Sequence, residues 1–192
     1  MVLPSLLNNV SYKQQVAFVI SSIGILIGAI GVVAASDRSL ITFFENLHWT
    51  FSYVGAAFVI GLGLNKSDVS NKHSKWFFIG FASYAFGQIV WDTQALFSYS
   101  PFPAPSDIFY LLLGPSLCIA FYFELKTDYK NLNKADFWLD FMALSIALLT
   151  LLLIWYLPRQ GDFDALSMLV LILYPITLLL PVLMLFLMIL IK

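Results

Sequence analysis

The chain reads as an all-α, polytopic transmembrane helical bundle of six spans, and three observations carry that reading. Hydrophobic residues make up 60% of it and charged ones 11%, where an ordinary soluble domain is roughly 25% charged. The apolar residues gather into runs close to the roughly 20 residues that cross a hydrocarbon core as a helix. Polar connections between the runs hold most of the lysines. A net charge of −1 with no basic cluster argues against nucleic acid as a partner. The one cysteine, Cys118, lies inside an apolar run, so no intrachain disulfide forms and the residue reads as packing. The start, MVLPSLLNNVSYKQQ, lacks the basic opening of a secretory signal, and the run after it exceeds an h-region, so it reads as a retained helix.

The spans are expected at 16–35, 47–64, 76–97, 108–125, 137–157 and 166–191 of a single membrane domain, 1–192. In the first, Gly24 and Gly28 have small-xxx-small spacing, which admits a neighbouring backbone. A polar connection is expected over 36–46. Ser83 and Gly87 share a face of the third span, and the sixth carries Pro175 and Pro181, so it is expected to kink or tilt.

Between the third and fourth spans lies the most specific stretch, PFPAPSD, with Pro101, Pro103 and Pro105. Proline fixes φ and lacks the N–H, so this is an extended elbow that neither helix can invade. Ser106 and Asp107 then start the next helix, because either side-chain oxygen can accept N–H groups of the first turn.

Basic residues set the expected orientation. With the N-terminus inside, Lys13, Lys66, Lys72, Lys75, Lys126, Lys130, Lys134 and Lys192 are cytoplasmic, while only Arg38 and Arg159 are outside. The location that follows is a bacterial inner membrane, with both termini cytoplasmic and the proline elbow outside. His48, Trp91, Asp92, Asp107, Tyr110 and Trp155 then gather at the outer end. Two readings stand for them: an aromatic belt at the headgroups, or a shallow outer pocket that senses a ligand. Asp140, with Asp136 four residues before it, is either a charge near a helix start or a functional carboxylate at membrane depth.

No catalytic set is legible. Asp92 and Asp140 fall toward opposite leaflets and make no proteolytic dyad, and neither His48 nor His73 has a nucleophile pattern beside it. Haem would need a pair of embedded axial ligands, and no His/Cys/carboxylate cluster suits a metal. No cofactor is expected.

Spans three and four match spans five and six: Trp91, corner, Asp107 and Gly114-Pro115 in one, and Trp155, corner, Asp162 with Asp164, and Tyr174-Pro175 in the other. This suggests parallel helical-hairpin repeats, with Gly-Pro and Tyr-Pro as kink and coupling points.

The order of Trp91, PFPAPSD, Phe109-Tyr110-Leu111, Gly114-Pro115, Leu139-Asp140-Phe141 and Tyr174-Pro175 resembles the polytopic membrane input modules that precede GGDEF, EAL or histidine-kinase domains in bacterial signalling proteins. The resemblance implies a sensory or regulatory domain that drives cyclic-di-GMP turnover or phosphotransfer. It implies as partners the bilayer, a small-molecule or membrane-state signal at the outer face, a cytoplasmic output domain in cis or trans, and a second copy in a homodimer. GGDEF, EAL and kinase boxes are absent from the sequence, so the chain is expected to be the membrane portion alone; a diguanylate cyclase, phosphodiesterase or histidine kinase would be the enzyme. The alternative is a small multi-span permease or accessory subunit. Its interior would offer only Gln88, Ser116 and Ser145 as midplane polar groups.

Overall fold

The computed structural model describes residues 11–64, 72–99, 101–128, 134–156 and 163–190. Among these it is all-helical: α1 Tyr12–Ala34, α2 Arg38–Leu64, α3 Lys72–Leu96, α4 Pro105–Leu111, α5 Leu113–Asp128, α6 Lys134–Tyr156 and α7 Ala165–Leu190. Where six spans were expected, four stretches among the described residues are long and apolar enough to cross a membrane: Tyr12–Ala34, Arg38–Leu64, Pro105–Lys126 and Ala165–Leu190. A shorter apolar stretch, Phe137–Leu151, lies in α6. Helix α3 has the length but carries Lys72, Lys75, Gln88, Asp92 and Gln94, which dilute its apolar character. Expectations on Lys66, Lys130, Arg159, Asp162 and Lys192, and on the side chains of Lys134, Asp136 and Trp155, lie outside the described residues.

Helix α1 begins with a capping box: the Gln14 N–H donates to the Ser11 hydroxyl at 3.2 Å and the Ser11 N–H to Gln14 Oε1 at 3.0 Å. The Gln14 amide also donates to the Val59 carbonyl of α2 at 3.2 Å. The small-residue face behaves as its spacing predicts. Methyl groups at Gly24, Gly28 and Gly31 would run into the Phe51 ring, the His48 backbone and the Phe44 ring, so α2 lies directly on α1.

The connection expected over 36–46 is instead three residues long, Ala35 to Asp37, before α2 starts at Arg38. The Asp37 carboxylate accepts the N–H groups of Ser39 at 3.1 Å and Leu40 at 3.3 Å, and the Ser39 hydroxyl as well. Those bonds, the hydroxyl's first, hold its carboxyl below the ordinary range. A capped first turn lets the mixed polar and apolar residues after it continue as helix.

Helix α3 ends in a Schellman turn: Tyr99 N–H donates to the Gln94 carbonyl and Ser98 N–H to the Ala95 carbonyl, both at 3.0 Å. Ser98 takes the left-handed position at φ 54°. Glycine suits that conformation without a Cβ penalty, so Ser98→Gly is expected to stabilise the protein by about 1 kcal/mol, read as a raised midpoint of unfolding in detergent.

The fourth span is two helices. Pro115 has no N–H to give the Leu111 carbonyl, and the ladder breaks at Leu112, between α4 and α5. In α7, by contrast, the helix runs without interruption through Pro175 and Pro181, so the expected break at Tyr174-Pro175 is absent. Its start is capped by Asp164, which accepts the N–H groups of Leu166 and Ser167 at 2.9 Å each and the Ser167 hydroxyl at 2.8 Å. The Ser167 N–H, then its hydroxyl, holds the carboxyl below its ordinary 3.8. A depressed folded pKa gives stability that is present above the unfolded value and lost as pH falls through the folded one. Protection of Leu166 and Ser167 N–H from hydrogen exchange, relative to the intrinsic rate, is therefore expected to fall below about pH 4, and Asp164→Ala to remove that pH dependence.

Side by side, the helices follow the order α1, α2, α3, the α4–α5 pair, α7, α6; among the described residues α1 packs on α2 alone, and α6 packs on α7 and reaches α5 where Trp138 meets Tyr122 at 6.3 Å between centroids. The largest buried cluster lies where α5, α6 and α7 meet, built on Phe121, Leu125, Phe137, Met184, Leu187 and Met188. Long apolar side chains such as Phe18, Ile30, Leu139 and Ile189 stay on the outside, as they do in a protein whose solvent is lipid.

Candidate functional site

Polar groups converge near the end of the bundle that holds the proline corner. Helix α4 brings them together because Asp107 and Tyr110, three residues apart, lie on one face. Asp107 is 6% exposed. Its Oδ2 accepts the Ala104 N–H at 2.6 Å, so the carboxylate caps its own helix, and its Oδ1 accepts a very short bond from the Tyr174 hydroxyl of α7. Ser106, expected as the alternative cap, does not serve: it is fully buried and its hydroxyl has no partner among the described residues.

From Tyr110 the network runs the other way. Its hydroxyl donates to Gln88 Oε1 at 3.0 Å, and Gln88 Nε2 donates to Asp92 Oδ1 at 2.9 Å. Asp92 Oδ2 accepts the Thr50 hydroxyl of α2 at 2.6 Å. Two carboxylates thus bind α2, α3, α4 and α7 through charge-assisted hydrogen bonds, with no cationic partner among the described residues. Rings pave one side. Tyr110 packs on Tyr84 at 4.6 Å between centroids, Tyr84 on Tyr53 at 3.9 Å, and Tyr53 stacks on Trp49 at 5.8 Å. Ser83 donates to the Phe109 carbonyl at 3.1 Å, and Gly87 takes the Tyr110 ring, so the face they share seats α4.

Of the residues expected at the outer site, Asp92, Asp107 and Tyr110 meet here, joined by Tyr174, which was expected only as a kink point. The hydroxyls and carboxylates pair with one another, and the rings pack beside them. Trp91 is half-buried beside Asp92 and has no ring or hydrogen-bond partner among the described residues. His48 packs edge-on against Trp49 at 5.5 Å between centroids, at the end of that ring row, and its Nδ1–H donates to the Ile25 carbonyl of α1 at 3.1 Å, so it also ties α1 to α2. The Trp155 side chain lies outside the described residues. Asp140 is exposed on α6, which does not touch α3, so it cannot face Asp92.

Thr50, Gln88, Tyr53 and Tyr84 were not singled out as site residues. A signal was present for part of the set, because Gly80, Tyr84, Gln88 and Asp92 recur every four residues along one stripe of α3. Gln88, Ser116 and Ser145 line no common path; they sit at the α3–α4, α3–α5 and α6–α7 contacts.

Gly114, expected as a kink point, makes a second close contact. A methyl at Gly114 would penetrate the Thr177 carbonyl of α7. Four residues beyond Thr177 is Pro181, which has no N–H to offer that carbonyl. The freed oxygen instead lies against the glycine Cα, as close Cα–H···O helix contacts do. Pro181, more than Pro175, therefore prepares α7 for α5. No known protein family, curated protein or solved structure matches the chain.

Proposed function

We propose that this chain is the membrane-embedded input domain of a bacterial signalling protein, with six spans, parallel hairpin repeats, and both termini on the cytoplasmic side of the inner membrane. The observation that carries the proposal is the buried bond between Asp107, next to the proline corner, and Tyr174 on the last helix. It gives a stimulus at the corner a direct hold on α7, whose far end is the last described part of the chain. The pairing of α3 with α5 and of α6 with α7 supports the hairpin repeat. Lysine bias supports the orientation. In this reading a ligand or a change in the bilayer alters the Asp92–Gln88–Tyr110 and Asp107–Tyr174 bonds, α7 shifts against Gly114, and an output domain in cis or trans reads the shift.

A fusion in which a diguanylate cyclase domain follows Lys192 tests the proposal. Tyr174→Phe and Asp92→Asn are expected to change cyclic-di-GMP output at unchanged membrane abundance. Output indifferent to both substitutions would remove the sensor reading and favour the permease. Cysteine labelling of Pro103→Cys from the cytosolic side would overturn the orientation.

A further inference from the structure

Two apolar grooves run along α2, one on each side of a single ridge. The first lies between α1 and α2 and measures about 460 Å³; the second lies between α2 and α3 and measures about 520 Å³. Val54, Phe58 and Leu62 line both grooves, and their four-residue spacing makes them one stripe of the helix. Ala82 and Ala85 keep the second groove open, as Ala17 and Gly55 do the first.

Each groove has a lysine at one end, and the acidic Asp92 follows the far end of the second, bonded to Thr50 and Gln88. Lys13 lines the first groove where α1 begins, and Lys75 stands one turn before Phe78, which lines the second where α3 begins. The hairpin path from α1 through α2 to α3 puts both lysines at the same end. From Lys13 the first groove extends to Ser21, eight residues or about 12 Å. The second extends from Phe78 to Ile89, eleven residues or about 16 Å. Each length is close to half of the roughly 30 Å hydrocarbon core, the reach of an acyl chain from headgroup to midplane.

We propose that these grooves hold the two acyl chains of one anionic phospholipid, astride Phe58, with its phosphate between Lys13 and Lys75. Near-equal grooves suit two equal chains. A partner helix fits poorly, because Phe58 is 62% exposed on the ridge and would meet a cylinder about 10 Å across head-on. A juxtamembrane lysine attracts an anionic headgroup without any special pocket, and one beside the same end of each groove gives selectivity over a zwitterionic headgroup.

The test is native mass spectrometry of the full chain in detergent, stripped of lipid and titrated with phosphatidylglycerol or phosphatidylcholine of identical acyl chains. One phosphatidylglycerol per chain is expected to bind in preference to phosphatidylcholine. Lys13→Gln and Lys75→Gln are each expected to weaken phosphatidylglycerol about fivefold, with Lys→Arg at either position retaining it and phosphatidylcholine unaffected. Both lysines are exposed, so these variants keep the fold. Ala82→Phe, which fills the second groove, is expected to weaken both lipids. Equal binding of the two lipids, a preference that survives loss of both lysines, or a second copy of the chain occupying the grooves would each overturn the proposal.

Discussion

Gly114→Ala is expected to destabilise the protein by about 3 kcal/mol, the upper end of what overpacking a tight contact costs. The added methyl meets backbone on α7, the Thr177 carbonyl, and backbone cannot rotate away. Relief requires α5 and α7 to separate, which loosens the Phe121, Leu125, Met184 and Leu187 cluster that the same two helices share. Gly63→Ala is a milder comparison, because its methyl meets only the end of the flexible Gln14 side chain and displaces the amide that donates to Val59. It is expected to cost about 1 kcal/mol, the worth of one hydrogen bond. Reversible unfolding in mixed micelles reads both. Equal loss at the two positions would show that the Gly114 contact is not the tight one.

Asp107→Ala is expected to have a comparable effect for a different reason. It leaves the Ala104 N–H and the Tyr174 hydroxyl without an acceptor, and Ala104 is itself 5% exposed. Each unsatisfied buried group costs about 1–3 kcal/mol, and neither has water to turn to in a lipid setting. Tyr174→Phe removes one donor to a charged acceptor and is expected to cost about 1.5–3 kcal/mol. Because the two residues share one bond, the double variant is expected to lose clearly less than the sum. An additive double-mutant cycle would mean that the hydroxyl and the carboxylate act independently.

What was legible in the sequence follows the range of each interaction. Gly24 and Gly28 announced the α1–α2 contact because spacing along one helix fixes a face, and Ser83 with Gly87 did the same for α4. Asp92 and Asp107 stood out because carboxylates are rare in apolar runs. Their partners did not: Thr50 is 42 residues from Asp92 and Tyr174 is 67 from Asp107, and no local pattern encodes a pairing at that distance. The start of α2 was missed because Ser39 to Asn46 looks polar, although Asp37 is a standard cap signal. The depth of His48 along its helix was legible, whereas its bond to Ile25 depends on rotation about the helix axis, which no local spacing gave.

The side-by-side helix order makes this molecule a palisade whose two end posts, α1 and α6, never meet among the described residues. In such a row each helix is braced by those beside it. What it can transmit is lean: a post pushed at one rim drags its neighbours at the other, and the lipids pressed against both sides set how stiffly they resist.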